Sequence, residues 1–211
     1  MLRRLICAST ALLILTAATR TEAPRPLAAQ PEEAAVLAIH VLRKLVDTEN
    51  FKMLGFETLE EVNQAKLGPP LAVFNIGLEQ LKGYKSGQDV ASLLTKTSES
   101  VYPVLVNDQV RSSVTIVRRE GGYEPSSFGN ADVVKRLMMA LRKTESGTAA
   151  FIVRVPALNV YFLGSGAGGE IRLAPIIDDP RIELRAGEAR PAGAILNQLV
   201  PLALAYNGLP T

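Results

Sequence analysis

The sequence is poor in the residue types that carry most recognisable chemistry. Of its 211 residues one is cysteine, one is histidine and none is tryptophan. Cys7 lies in the N-terminal segment expected to be removed, so the mature chain has no disulfide, no thiolate nucleophile and no cysteine metal ligand. With His40 the sole imidazole, HExxH sites and histidine-rich zinc sites are excluded. A zinc-type metal site is therefore not expected, and no cofactor is expected either. No G-x-S-x-G elbow occurs, and no serine is followed three residues later by lysine, which removes two familiar serine-nucleophile signatures. His40 falls on a polar helix stripe and reads as a solvated residue. No catalytic residue is assigned.

A second scarcity concerns charge. Lys and Arg number 23 against 21 Asp and Glu. Four of the arginines and one glutamate fall in residues 1–29, so residues 30–211 carry 19 basic and 20 acidic side chains. The basic character of the whole chain thus belongs largely to its first segment. No positive field is left for phosphate backbones, and nucleic acid is not an expected partner.

The first segment reads as a secretory signal peptide, because Arg3 and Arg4 precede an apolar run from Leu5 to Ala18. The run is shorter than the roughly 20 residues a membrane span needs. Cys7 follows bulky Ile6 and precedes most of the apolar run, so a lipid anchor is not expected. No stable membrane anchor is expected in the mature protein. Small residues fit a cleavage site at Ala18, Ala23 and Ala29; Pro24 argues against the second, and Ala29 is preferred. The expected division is a leader at 1–29 and one domain at 30–211. The absence of an Asn-x-Ser/Thr acceptor, together with the absence of disulfides, suits a bacterial periplasm or a secreted bacterial protein.

Hydrophobic periodicity supplies the elements. Pro31, Glu32 and Glu33 open a helix running to Val46, whose polar residues His40, Arg43, Lys44 and Asp47 share one stripe on an otherwise apolar cylinder. Thr58 and Glu61 form a capping box for a short helix closed by Gly68. Leu71–Leu78 reads as a strand, and Glu79–Ser100 as loops with one short helix. Val101–Val106 and Val110–Arg119 alternate around the turn Asn107-Asp108-Gln109 and form a hairpin. Tyr123–Phe128 adds a strand, and Asn130 caps a helix through Lys143. Strands at 149–155, 158–163 and 170–177 follow, the last two joined by a glycine-rich turn at 164–169. A final helix after Pro191 is kinked by Pro201.

Strands in runs followed by single helices imply an α+β domain with a mainly antiparallel sheet and helices packed on one face. The layout is similar, by architecture alone, to cystatin-like and PAS-like modules, without a motif of either.

Three local patterns invite functional readings. The Gly164–Gly169 segment lacks the lysine and the following helix of a phosphate loop, so it reads as a hairpin turn. Asp178-Asp179-Pro180 reads as a turn ending a strand, since adjacent strand residues point to opposite faces. Strand alternation is more informative. It places Val110, Ser112, Val114 and Ile116 on one face and Arg111, Ser113, Thr115 and Val117 on the other. Extended to the later strands, it sends Arg154, Asn159, Tyr161 and Arg172 away from the apolar side. Arg111, Arg154 and Arg172, with Tyr161 nearby, are the candidate ligand-binding residues for a carboxylate, phosphate or acidic peptide.

The leading expectation is an exported, non-enzymatic binding or interaction module. Its partner would be a small anionic ligand, a peptide or an envelope protein. A carboxylate-based hydrolase and a chaperone-like envelope accessory protein using Glu79–Ser100 as a recognition loop are the alternatives.

Overall fold

Helix α1, Pro31–Leu45, begins where proline fixes the first turn and two glutamates meet the positive end of the helix dipole. A computed structural model of the chain describes residues 27–142, 149–167 and 170–208. The leader expected at the N-terminus lies, up to Pro26, outside the described residues. α1 buries Ala34, Ala35, Ala38, Ile39 and Leu42. Val36, Leu37 and Leu45 stay exposed on its outer side, so it is packed on one face and not most of the way round.

The chain continues through β1 (Lys66–Leu67), β2 (Leu71–Asn75), the short helix α2 (Leu78–Lys82), β3 (Thr95–Val106), β4 (Gln109–Arg119) and β5 (Gly122–Phe128). Helix α3 (Ala131–Arg142) leads to β6 (Ala150–Val155), β7 (Val160–Ala167), β8 (Glu170–Pro175), β9 (Arg190–Pro191) and α4 (Ala192–Ala205). The β3–β4 hairpin turns at Asn107 and Asp108, both with positive φ (50° and 61°), as a tight two-residue connection requires.

These strands form one nine-stranded sheet of order β5-β4-β3-β2-β6-β7-β8-β9, with β1 pairing β3 off that path. Every pairing is antiparallel except β2 with β6 at the centre. The protein is thus an α+β domain with a mainly antiparallel sheet. Each side of the central pair runs outward through three further strands and ends in a helix, α3 on one side and α4 on the other. The two terminal helices of these runs pack on opposite faces of the sheet.

The packing follows that geometry. Tyr102, Val104, Val114 and Ile116 pack under α1, while Val153, Val155, Phe162 and Leu173 pack with α2 and α4. Pairing register puts both sets on one face, so three helices share it. The opposite face carries Leu71, Val73, Val101, Ile152 and Leu163, covered by Val134, Leu137 and Ala140 of α3. Burying each of these large side chains contributes roughly 1.5–3 kcal/mol.

Four local expectations change. Thr58–Gly68 forms only a 3₁₀ turn, Glu60–Gln64, before β1. Glu61 explains it, because one oxygen accepts from the Glu57 N–H and the other from Arg111 Nε. Residues 79–100 hold α2, a 3₁₀ turn at Val90–Leu93 and the first half of β3, and so do not form a loose loop. The chain from Pro156 to Leu158 is a 3₁₀ turn, ended by Asn159 with φ 54°, and β7 starts only at Val160. Finally, Gly164, Ser165 and Gly166 continue β7 as strand. No turn forms where one was expected from Gly164 to Gly166, and residues 168–169 lie outside the described residues.

Candidate functional site

A cavity of about 320 Å³ lies between the sheet and α3, on the face opposite to α1. Its walls follow from strand order. Val101 and Ile152 form an apolar floor, and Val133, Val134 and Leu137 of α3 form the roof. At the β4–β5 end the lining is hydroxylic and amidic, from Ser113, Thr115, Ser126, Ser127 and Asn130. Arg154 of β6 and Tyr161 of β7 stand across β2 from that end, and Glu99, two residues before Val101 on β3, meets Arg154 over β2. The result is a slot with two polar ends and an apolar waist.

Each end is built by pairing. Thr115 is opposite Ser127, and Arg154 is opposite Tyr161. The Ser113 hydroxyl donates to the Gly129 carbonyl at 2.5 Å and fixes the approach to α3. Ser126 donates to the Thr115 carbonyl at 3.3 Å. Thr115, only 8% exposed, lines the cavity, and its hydroxyl makes no hydrogen bond among the described residues. At the charged end Arg154 donates to Glu99 Oε2, and Thr97 Oγ1 accepts from the Glu99 N–H at 3.1 Å. The pair is partly buried, with side-chain exposures of 26% and 34%.

The structure separates the four residues picked from the sequence. Arg154 and Tyr161 share the cavity, and Arg111 and Arg172 do not. Arg111 is displaced by a β-bulge: Val104 pairs Ser112 while Leu105 pairs Val110, which leaves Arg111 as the extra residue. Val110 then turns into the α3 core and breaks the simple alternation. Arg111, 13% exposed, is held by Glu57 at 2.6 Å and Glu61 at 3.0 Å. Arg172 is on the same face as Arg154, but its partner Ser165 is four residues along β7 from Tyr161, roughly 13 Å away at strand rise. There it donates to the Ala189 carbonyl at 2.8 Å and anchors the approach to β9. The three arginines therefore do not converge.

The sequence does not single out Glu99, because it falls in the polar stretch 79–100 expected to form loops. The signal was the alternation of Thr97, Glu99 and Val101, which extends β3 backward. Ser126, Ser127 and Asn130 carried no signal short of the pairing of β5 with β4.

The acidic pair after β8 has a structural task. Asp179 accepts from the Arg181 backbone N–H, from Nε at 2.9 Å and from a terminal nitrogen at 2.6 Å. Those hydrogen bonds hold its carboxyl below the usual aspartate range, against the opposing effect of burial. Asp178 accepts from the Ala186 N–H at 2.7 Å. His40 is exposed on α1. Among the described residues no three His, Cys, Asp or Glu side chains gather as metal ligands, and no helix is long and apolar enough to cross a membrane. Compared with protein-family models, curated proteins and solved structures, the chain finds no match.

Proposed function

We propose that this chain is exported to the periplasm or beyond and works there as a non-enzymatic binding module, holding a small amphipathic molecule in the cavity beneath α3. The observation that carries the reading is the slot itself, polar at both ends and apolar between them. Its volume is at the low end of the roughly 300–1,000 Å³ range of ligand pockets, which suits a metabolite-sized guest.

Arg154 does not wait as a free cation, because Glu99 already balances it. Recognition of a simple anion by three convergent arginines is thereby replaced by recognition at one neutral charge pair. The hydrolase reading loses its motive at this cavity. Carboxylate-based hydrolysis needs two carboxyl groups flanking the reacting bond, and Glu99 is the one carboxylate among the cavity's described lining residues.

The test is native mass spectrometry of protein purified without denaturation, beside a Val134→Phe variant that fills the waist. The expected result is a small molecule that co-purifies with the native chain and is absent from the variant. Equal retention by both, with the variant folded by circular dichroism, would overturn the reading.

A further inference from the structure

We infer that the occupant of this cavity is a zwitterion with an apolar side chain, of the α-amino-acid type. The inference rests on the binding reading above and adds to it the charge pattern of the ligand.

It starts from the two charges at one end of the slot. Arg154 gives Glu99 a terminal guanidinium nitrogen, and a guanidinium has five N–H donors. Glu99 receives that bond on Oε2, and its other carboxylate oxygen accepts no hydrogen bond among the described residues. Both groups thus retain hydrogen-bonding capacity toward the cavity they line.

A ligand with one charge meets both groups at once. A carboxylate gains Arg154 and is repelled by Glu99, while an ammonium gains Glu99 and is repelled by Arg154. At separations near 4 Å each contact is of similar size and opposite sign, so the net gain is small. A head group carrying both charges, laid antiparallel to the pair, makes two attractive contacts and leaves neither protein group unpaired. In an α-amino acid one carbon separates ammonium from carboxylate. That spacing matches a contact ion pair.

The rest of the slot dictates the side chain. From the charged end the way leads between Val101 and Ile152 below and Val134 and Leu137 above, where an aliphatic or aromatic group is stabilised by burial. A sugar fits poorly, because its ring hydroxyls would lose water against that waist without a partner. The chain also has no tryptophan, and Tyr161 is the one aromatic residue among the described lining.

The experiment is isothermal titration of the full-length processed chain, freed of bound material by unfolding and refolding. The probes are L-phenylalanine, L-leucine, 3-phenylpropionate, 2-phenylethylamine and glucose. The amino acids are expected to bind, with each single-charge analogue about tenfold weaker or more. Glu99→Gln should weaken L-phenylalanine about tenfold while strengthening 3-phenylpropionate, since it removes a repulsion felt only by the anion. A folding defect would weaken both. Equal binding of 3-phenylpropionate and L-phenylalanine, or binding of glucose alone, would overturn the zwitterion and leave the binding reading standing. Binding of no probe overturns the zwitterion, and the Val134→Phe comparison then decides the binding reading separately.

Discussion

Arg154 on β6 reaches Glu99 on β3 across the intervening strand β2, and the two side chains close one end of the cavity beneath α3. The pair ties the two halves of the sheet together on the face that α3 covers. Exposed pairs contribute about 1 kcal/mol or less, whereas removing one partner of a fully buried pair costs about 3–5 kcal/mol. At 26% and 34% exposure this pair sits between those limits, nearer the lower. Arg154→Met is expected to cost about 1–2 kcal/mol, by leaving the Glu99 carboxylate under α3 without its cation. Adding Glu99→Gln should recover part of that loss. Urea midpoints of the two single variants and the double variant measure it.

A second prediction concerns Gly164, in strand β7. A Cβ built there would lie 2.3 Å from the Phe151 ring of β6, directly across the pairing. The ring, packed edge-on to Phe74 at 5.2 Å, occupies the space that a side chain would need. Gly164→Ala should therefore destabilise by about 1–3 kcal/mol through overpacking. Combined with Phe151→Leu, the same substitution should cost measurably less. A double-mutant cycle in urea reads the coupling, and strictly additive costs would contradict the contact.

The contrast between Gly164 and Asn107-Asp108 shows what a local pattern conveys. The hairpin turn was legible because its residues favour positive φ and alternating strands flank it. A run of glycines looks like a turn for the same reason, yet Gly164 serves to admit a ring from the neighbouring strand. Helices α1, α3 and α4 were legible from their periodicity and end signals. The central β2–β6 pairing was not, since nothing in either strand names a partner so far along the chain. The candidate site inherited both kinds of outcome. Arg154 and Tyr161 follow from alternation, Arg111 was lost to a bulge that alternation cannot foresee, and Glu99 was hidden in the polar first half of β3.

Stability should fall at both ends of the pH scale for identifiable reasons. Burial beneath α1, with smaller contributions from Glu32 and Tyr123, pushes the Tyr102 phenol from 10.0 up to about 12. The folded state then holds a proton that the unfolded chain releases, so this contribution is complete below pH 10 and is lost as pH rises from about 10 toward 12. Asp179 has the opposite sign. Its carboxyl is depressed by Arg181, so the contribution is present above the unfolded value of about 3.9 and disappears as pH falls through the lower folded value. Tyr102→Phe should flatten the alkaline limb of the melting-temperature profile and Asp179→Asn the acid limb. Unchanged limbs in these variants would refute the assignment.

The end of the expected leader can be tested through the pairing of Ala28 with Tyr123. Ala28 donates to the Tyr123 carbonyl at 3.0 Å and accepts from the Tyr123 N–H at 2.9 Å, which extends the sheet beyond its edge strand β5. Gly122 accommodates the approach, since a Cβ there would lie 2.5 Å from the Ala28 oxygen. A cut after Ala29 would remove this pairing and uncover an edge open to association. If the pairing is kept in the mature protein, a leader would end ahead of Leu27, at Ala18 and not at the Ala29 preferred from the sequence, since Pro24 disfavours a cut after Ala23. A processed form that keeps the pairing is then expected to begin at Thr19 by intact mass. A chain begun at Gln30 loses two hydrogen bonds of about 1 kcal/mol each and should melt roughly 4–8 °C lower. An exported form that begins at Gln30 and melts no lower than the longer chain would show that the β5 edge needs no cover.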